Sequence, residues 1–189
     1  NNLNFSSFPK ITKFGFYNNY DFLIKNSNTD TENSASYKTG ENYYLSGLFQ
    51  FNSTLPLIKE NKDFQSIFTP KISLKIAPNQ TKNDRDGNTR VDINNVYSLS
   101  RITGSDTVEG GLSLTYGTDY SIFDKKNQRE ELNFKIASNL RLEENHDLPS
   151  MNQMGEKTSN IFSEITYNPN QYFTSKYNTS LKNNLSDVN

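Results

Sequence analysis

The sequence predicts an all-β protein: an antiparallel, up-and-down transmembrane β-barrel segment of about eight long meander strands, an open piece of a larger barrel. Three observations lead there. The first is strict alternation between Gly110 and Leu142. Leu112, Leu114, Tyr116, Tyr120 and Ile122 fall on one face, with Gly111, Ser113, Thr115, Gly117, Asp119 and Ser121 on the other. Beyond the polar turn Asp124–Gln128, Leu132, Phe134, Ile136, Leu140 and Leu142 alternate with Glu131, Asn133, Lys135, Asn139 and Arg141. Successive side chains of a strand point to opposite faces, so this is a hairpin with one apolar and one polar face.

The second observation is strand length. Ordinary strands run about 5–6 residues. These run about a dozen, near the 9–11 a tilted strand needs to cross a bilayer. The third is that long and short connections alternate along the chain, as in barrels with short periplasmic turns and long outer loops. A large soluble β-sandwich or β-solenoid shares the alternation but has no reason to keep its long loops at one end.

In chain order, Asn2–Ser7 reads as a strand end and Phe8-Pro9-Lys10 as a turn, because Pro9 cannot donate to a central ladder. A second strand carries Phe14, Phe16, Tyr20, Phe22 and Ile24 on one face. Residues Asn26–Thr39 read as a polar loop. Tyr43, Leu45, Phe49, Phe51, Leu55 and Leu57 share a face of the next strand, and Lys59–Asp63 is a short charged turn. The return strand sets Ile72, Leu74 and Ile76 against Lys71, Ser73 and Lys75; Pro70 argues for an edge or strand start.

Val91–Arg101 has some strand character. However, the short turns at Lys59–Asp63 and Asp124–Gln128 must lie on one side of the membrane. The chain then crosses an even number of times between them, and the strands at Phe64–Ala77 and Gly110–Ile122 suffice. Residues Asn79–Glu109 are therefore expected to form one long non-spanning loop, outside or folded into the lumen. After the central hairpin, Glu143–Lys157 is a second long loop. Ser159–Tyr167 is a strand whose polar side is spoiled by Phe162, Asn168-Pro169-Asn170 is a tight turn, and Phe173, Tyr177, Leu181 and Leu185 mark the last strand. The lipid-facing set is then Ile72, Leu74, Ile76, Leu112, Leu114, Tyr120, Leu132, Phe134, Ile136 and Leu140. The lumen-facing set is Lys71, Ser73, Lys75, Ser113, Thr115, Asp119, Glu131, Asn133, Lys135, Asn139 and Arg141.

Composition narrows the classes. The 189 residues carry a net charge of −1, which gives no electrostatic case for nucleic acid. Mean hydropathy is −0.82, and no apolar run approaches the ~20 residues of a spanning helix. Half of each barrel strand is polar, so low hydropathy is compatible with a barrel. Aromatics reach 13%, which suits strands and interfacial girdles. Neither end has the look of a natural terminus, and the chain is expected to be a fragment forming part of a single barrel domain over 1–189.

No catalytic chemistry emerges. There is no cysteine, and His146 is the only histidine, which rules out the usual zinc and Cys-His sites. Asp84, Asp86 and Asn88 resemble the start of a calcium loop, but Gly87 is misplaced and no Glu closes it. Glu130-Glu131 and Glu143-Glu144 point to opposite strand faces, unlike glycosidase pairs. No cofactor or enzyme activity is expected.

Asn95, Arg101, Gly104, Asp106, Glu109 and Gly111, then Tyr116 and Gly117, resemble the pattern Asn…Arg-x-x-Gly-x-Asp-x-x-Glu-x-Gly…Tyr-Gly of the LptD family, lipopolysaccharide-assembly proteins of the outer membrane. Leu148-Pro149, Gly155, Ser159, Tyr167 and Pro169 are similar to the downstream part of that family's barrel, and Leu55-Pro56-Leu57 and Thr69-Pro70-Lys71 fit upstream. The resemblance covers most of the chain. It implies a Gram-negative outer-membrane barrel with many more strands. It also implies lipopolysaccharide and the bilayer as partners, a plug lipoprotein like LptE, a periplasmic Lpt bridge, and lateral release between the first and last strands. The disulfides of some members have no counterpart here. On that resemblance, Arg101, Asp106 and Glu109 would form ion pairs pinning the long loop against the barrel mouth or the plug; capping a turn is the plainer alternative. The competing classes are another outer-membrane barrel, a porin or receptor, and a soluble extracellular β-sheet binding protein.

Overall fold

The computed structural model describes residues 1–32, 39–79, 81–87, 89–102 and 107–183. They form one antiparallel sheet of ten strands: β1 (Asn2–Ser6), β2 (Lys10–Ile11), β3 (Tyr17–Thr31), β4 (Gly40–Thr54), β5 (Leu57–Glu60), β6 (Phe64–Ala77), β7 (Gly111–Asp124), β8 (Arg129–Arg141), β9 (Ile161–Asn170) and β10 (Phe173–Leu181). The order is β1-β3-β4-β6-β7-β8-β9-β10, with β2 on β3 and β5 on β6. Long strands adjacent in the chain are adjacent in the sheet, so the topology is the predicted meander. Among the described residues neither β1 nor β10 pairs along its outer side, so the sheet is open.

Alternation sets the register. In the central hairpin Leu114 faces Leu140, Tyr120 faces Phe134 and Ile122 faces Leu132, while Thr115 faces Asn139 and Asp119 faces Lys135. The two faces are reversed relative to a water-soluble sheet. Ile72, Ile76, Leu112, Tyr116 and Leu140 are exposed, whereas Ser73, Lys75, Ser113, Thr115, Asn139 and Arg141 are buried. Lys71, Asp119, Asn133 and Lys135 share the covered face and are half-buried; Leu74, Leu114, Tyr120, Leu132, Phe134 and Ile136 are half-buried on the apolar face.

Several boundaries differ from the sequence reading. Asn26–Thr31 is strand, because it pairs residue for residue with Gly40–Leu45; backbone pairing does not require apolar side chains. Phe14 and Phe16 lie in the β2–β3 turn, where Gly15 has φ +85°. Lys59 and Glu60 pair with Ser66 and Gln65, which shortens that turn. Asn168–Asn170 ends β9, and the reversal falls at Gln171 and Tyr172. Val91–Arg101 forms turns, and Leu185 lies outside the described residues.

Pro70 sits inside β6, not at an edge. It pairs with Thr118 on one side. On the other it lies where β4 gives way to β5, and its carbonyl accepts from Leu55 N at 3.1 Å. Pro56 interrupts the neighbouring strand at the same level, so both missing N–H groups fall where the ladder is already broken. Glu131 is also displaced. A register shift between Ile122 and Phe123 leaves it unpaired, and it lines an outer recess with Phe64, Ile122, Leu132 and Tyr167. Its neighbour Glu130 accepts from Asn133 instead. A bulge adds one residue and so swaps the faces beyond it.

The connections divide by length. Four short reversals sit at one end of the sheet; the strand ends that flank the longer connections, Thr31 and Gly40, Ala77 and Gly111, and Arg141 and Ile161, lie at the other. The described residues between β6 and β7 fold back over the half of the covered face nearest the long connections. Two apolar clusters hold it there. Val91, Ile93 and Val96 pack with Ala137, Phe162 and Met154; Val108 packs with Leu23 and Leu48. Phe162, the apparent flaw in an alternating strand, is completely buried under this loop.

Candidate functional site

The centre of the covered face is a problem of charge. Alternation forces Lys75 of β6 and Arg141 of β8 onto the same side of the sheet, and the loop above brings Arg101. All three would be buried cations without a counterion, which is costly in a low-dielectric interior. Glu109 resolves it. Its Oε2 accepts from Arg101 Nε at 2.7 Å and from Lys75 Nζ at 3.2 Å. Its Oε1 accepts from Arg101 Nη2 and from Arg141 Nη1, the latter at 3.0 Å. Arg101 and Glu109 side chains are 0% and 1% exposed. The fork-on-fork contact of guanidinium and carboxylate suits this geometry.

The remaining donors reach the wall and the loop backbone. Arg101 Nη1 donates to Asn139 Oδ1 at 2.9 Å and Thr115 Oγ1 at 3.1 Å, and Nη2 to Ser113 Oγ at 3.2 Å. Lys75 Nζ donates to Ser98 O at 3.0 Å, and Arg141 Nη2 to Gly110 O. Two further wall residues hold loop carbonyls: Lys25 to Thr107 O at 2.7 Å, and Gln50 to Tyr97 O at 2.8 Å. The loop is thus tied to β3, β4, β6, β7 and β8. Burial alone would raise the Glu109 carboxyl; the charges of Arg101, Lys75 and Arg141 and the Arg101 hydrogen bonds outweigh it and hold it well below the usual range. Burial, then the Asp119 charge, pushes the Tyr97 phenol up, so it stays protonated.

The motif residues separate into roles. Asn95 caps a turn: its Nδ2 donates to Arg90 O at 3.0 Å and its Oδ1 accepts from Asp92 N at 2.9 Å. Gly111 has φ +91°, and a Cβ there would stand 2.9 Å from Arg141 Nη2. A Cβ on Gly117 would collide with the Ile136 carbonyl and stand 2.5 Å from the Tyr97 hydroxyl, so only glycine lets the loop tyrosine approach β7. Tyr116 is on the opposite, exposed face. Gly104 and Asp106 lie outside the described residues. Lys25, Gln50 and Tyr97 escaped the sequence reading. The alternating polar positions of β3 and β4 hint at the first two, but no local signal names the carbonyls they hold.

The second long connection braces the first. Asn152, at φ 66°, accepts from Val91 N at 3.2 Å and donates to Ser180 at 3.1 Å. Asp84 N donates to Asp147 O at 2.7 Å. Leu148 and Met154 are buried beneath it. Below the loop, towards the short reversals, the wall and loop enclose an open cavity of about 620 Å³. Among the described residues no group of acidic or histidine side chains is placed to hold a metal, and no helix is long and apolar enough to cross a membrane.

The family model for LptD, LPS transport system D, matches residues 3–189. This chain belongs to the LptD family. LptD proteins transport and assemble lipopolysaccharide at the outer membrane. The all-β meander is the fold class expected for a β-barrel portion of an LptD protein. No curated protein matches the chain.

Proposed function

We propose that residues 1–189 form part of one outer-membrane barrel domain in a translocon that inserts lipopolysaccharide into the outer leaflet of a Gram-negative envelope. The observation that carries this is the reversal of faces. In strands of up to 15 residues, apolar side chains stand exposed on one side and polar ones are covered on the other. Such a wall is stable only where lipid meets the first face and polar groups the second. In this reading Ile72, Ile76, Leu112 and Leu140 face lipid, with Leu74, Leu114, Tyr120, Leu132, Phe134 and Ile136 beside them. Lys71, Ser73, Lys75, Ser113, Thr115, Asp119, Asn133, Lys135, Asn139 and Arg141 face the lumen. The short reversals point to the periplasm, and residues 79–109 form a non-spanning loop inside the barrel.

The wall suits an amphiphile. A lumen rich in amides, hydroxyls and paired charges accepts the sugar part of lipopolysaccharide, while acyl chains stay with the apolar side. An LptE-like plug lipoprotein and a periplasmic Lpt bridge would be the protein partners. The test is depletion of the full-length parent, with measurement of surface lipopolysaccharide. Loss from the surface with accumulation inside is expected. Unchanged lipopolysaccharide with lost uptake of a solute would overturn the reading in favour of a porin or receptor.

A further inference from the structure

We propose that a recess on the apolar face, at the end with the short reversals, binds a phospholipid with a primary-amine headgroup, the amine held by Glu131. This rests on the outer-membrane reading above and adds a lipid partner on the outer surface of the wall. The recess has a volume of about 360 Å³, and Phe64, Ser66, Ile122, Leu132, Tyr167 and Glu131 line it.

The recess follows from the strand register. Paired residues of antiparallel strands point to the same side. Ser66 pairs with Ile122, Ile122 with Leu132, and Leu132 with Tyr167, so the four form a row across the apolar face. Along β6 the same face carries Phe64, Ser66 and Phe68. A small side chain between two rings leaves the space open. Phe64 and Tyr167 are exposed, and Glu131 is half-buried, so a ligand reaches the recess from the membrane side.

A carboxylate on this face is out of place. Strict alternation would put Glu131 on the covered side, and the extra residue at the bulge turns it outward. A charge on a lipid face is costly at depth and tolerated near the interface, where water or headgroups meet it. The neighbouring strand-end charges are met inside the protein. Glu60 accepts from Lys125, Asp124 from Asn127, and Glu130 from Asn133, while Arg129 donates to Pro169 O. Two are not: among the described residues the side chains of Glu131 and Lys59 have no hydrogen bond or ion pair. Lys59 is exposed and pairs with Ser66, so it shares the face of the recess.

Charge complementarity then names the occupant. Lys59 and Glu131 stand three strand intervals apart, about 14 Å between backbones, with the recess between them. A headgroup that carries a phosphate and an ammonium answers both. The ammonium donates to Glu131 beside the Tyr167 ring, the phosphate meets Lys59, and the start of an acyl chain lies on Ile122 and Leu132. Glu131 is the third residue of β8, close to the reversal, at the height where the aromatic girdle of a barrel meets headgroups. A headgroup with a phosphate and hydroxyls alone leaves Glu131 facing a like charge.

The experiment uses the full-length parent, with the partner it co-purifies with, in vesicles of equal parts phosphatidylethanolamine and phosphatidylglycerol. In one preparation the ethanolamine lipid carries a diazirine near the carbonyl end of an acyl chain, and in the other the glycerol lipid does. After irradiation, mass spectrometry of the peptides locates and counts the crosslinks. Crosslinks to residues 64–68 and 130–133 should be about threefold more frequent with the ethanolamine lipid, the scale of one charge contact that solvent reaches. Glu131→Gln should bring the two lipids level. Glu130→Gln, next in the chain but bonded to Asn133 on the covered face, should keep the preference. If Glu131→Gln does not fold, judged by heat-modifiable gel mobility, Ser66→Leu, which fills the recess, takes its place and should also abolish the preference. Equal crosslinking of the two lipids in the wild type, as water alone at Glu131 would give, an excess of the glycerol lipid, or an undiminished preference in a folded variant would overturn the proposal. Crosslinks at Ile76 and Leu112, at the far end of the same face, with no preference at the recess would remove this site alone. No crosslink anywhere on the apolar face would remove the barrel reading as well.

Discussion

Arg101 and Lys71 are both paired with a carboxylate, but they differ in burial. The Arg101–Glu109 pair is sealed, whereas Lys71 and Asp119 are 28% and 25% exposed. Breaking a buried pair by removing one partner leaves an uncompensated charge and costs about 3–5 kcal/mol. Pairs that reach solvent contribute about 0–1 kcal/mol. Arg101→Ala in the full-length protein should therefore lower the unfolding midpoint sharply and impair export, while Asp119→Asn should change it little. Heat-modifiable gel mobility against temperature reads both. Arg101→Lys should fail to restore the wild type, since an ammonium cannot span both oxygens as the guanidinium fork does. The acid response of Glu109 has a definite sign. Its folded carboxyl lies below the ordinary 4.5. Its contribution to loop docking is fully present above 4.5 and is lost as pH falls through the lower folded value. Amide exchange at Val108, corrected for intrinsic rate, should stay protected from about pH 5 to 8 and loosen only in stronger acid.

The strands were legible because alternation is a local signal, and each was readable wherever the alternation persisted. The failures were local too. A pairing partner rather than side-chain pattern makes Asn26–Thr31 a strand, and a one-residue bulge moves Glu131 off the polar face. Neither is visible in one strand read alone. The reversal of faces makes a prediction at this scale. Ile165 is 42% exposed on the apolar face of β9, and Thr166 comes next on the covered face beside Asn133. Ile165→Arg should hinder membrane insertion by about 2–4 kcal/mol if it lies near the bilayer midplane, and Thr166→Arg by much less. Folding yield into lipid vesicles of the two variants measures the difference; equal yields would count against the face assignment.

For the molecule as a whole, wall and loop are mutually dependent. The wall supplies Lys75, Arg141, Leu23, Leu48 and Phe162; the loop supplies Glu109, Val108, Val91 and Val96. Without the loop, the wall keeps two cations and three large apolar side chains uncovered on the face the loop now covers. Replacing residues 81–107 of the parent by a short Gly-Ser linker removes Val91, Val96 and Arg101 and leaves Glu109 with Lys75 and Arg141 alone. The expected result is a lower yield of folded barrel, measured by gel mobility in lipid, rather than a normal barrel with a wider lumen. A wild-type yield would show that the wall folds without its loop.

Sequence alone determined the meander, the two opposite faces, the side with long connections and the family, because each rests on period-two alternation or on residues adjacent in the chain. It marked Arg101 and Glu109 as a motif, leaving pinning and turn capping open. The tertiary structure shows what those two touch: they pair with each other and with the wall. Residues from two strands and one loop had to meet before Glu109 could be seen as the counterion of Lys75, Arg101 and Arg141. The same holds for Phe162 and for the cavity: a side chain's burial depends on what folds over it, and no pattern within its own strand carries that information.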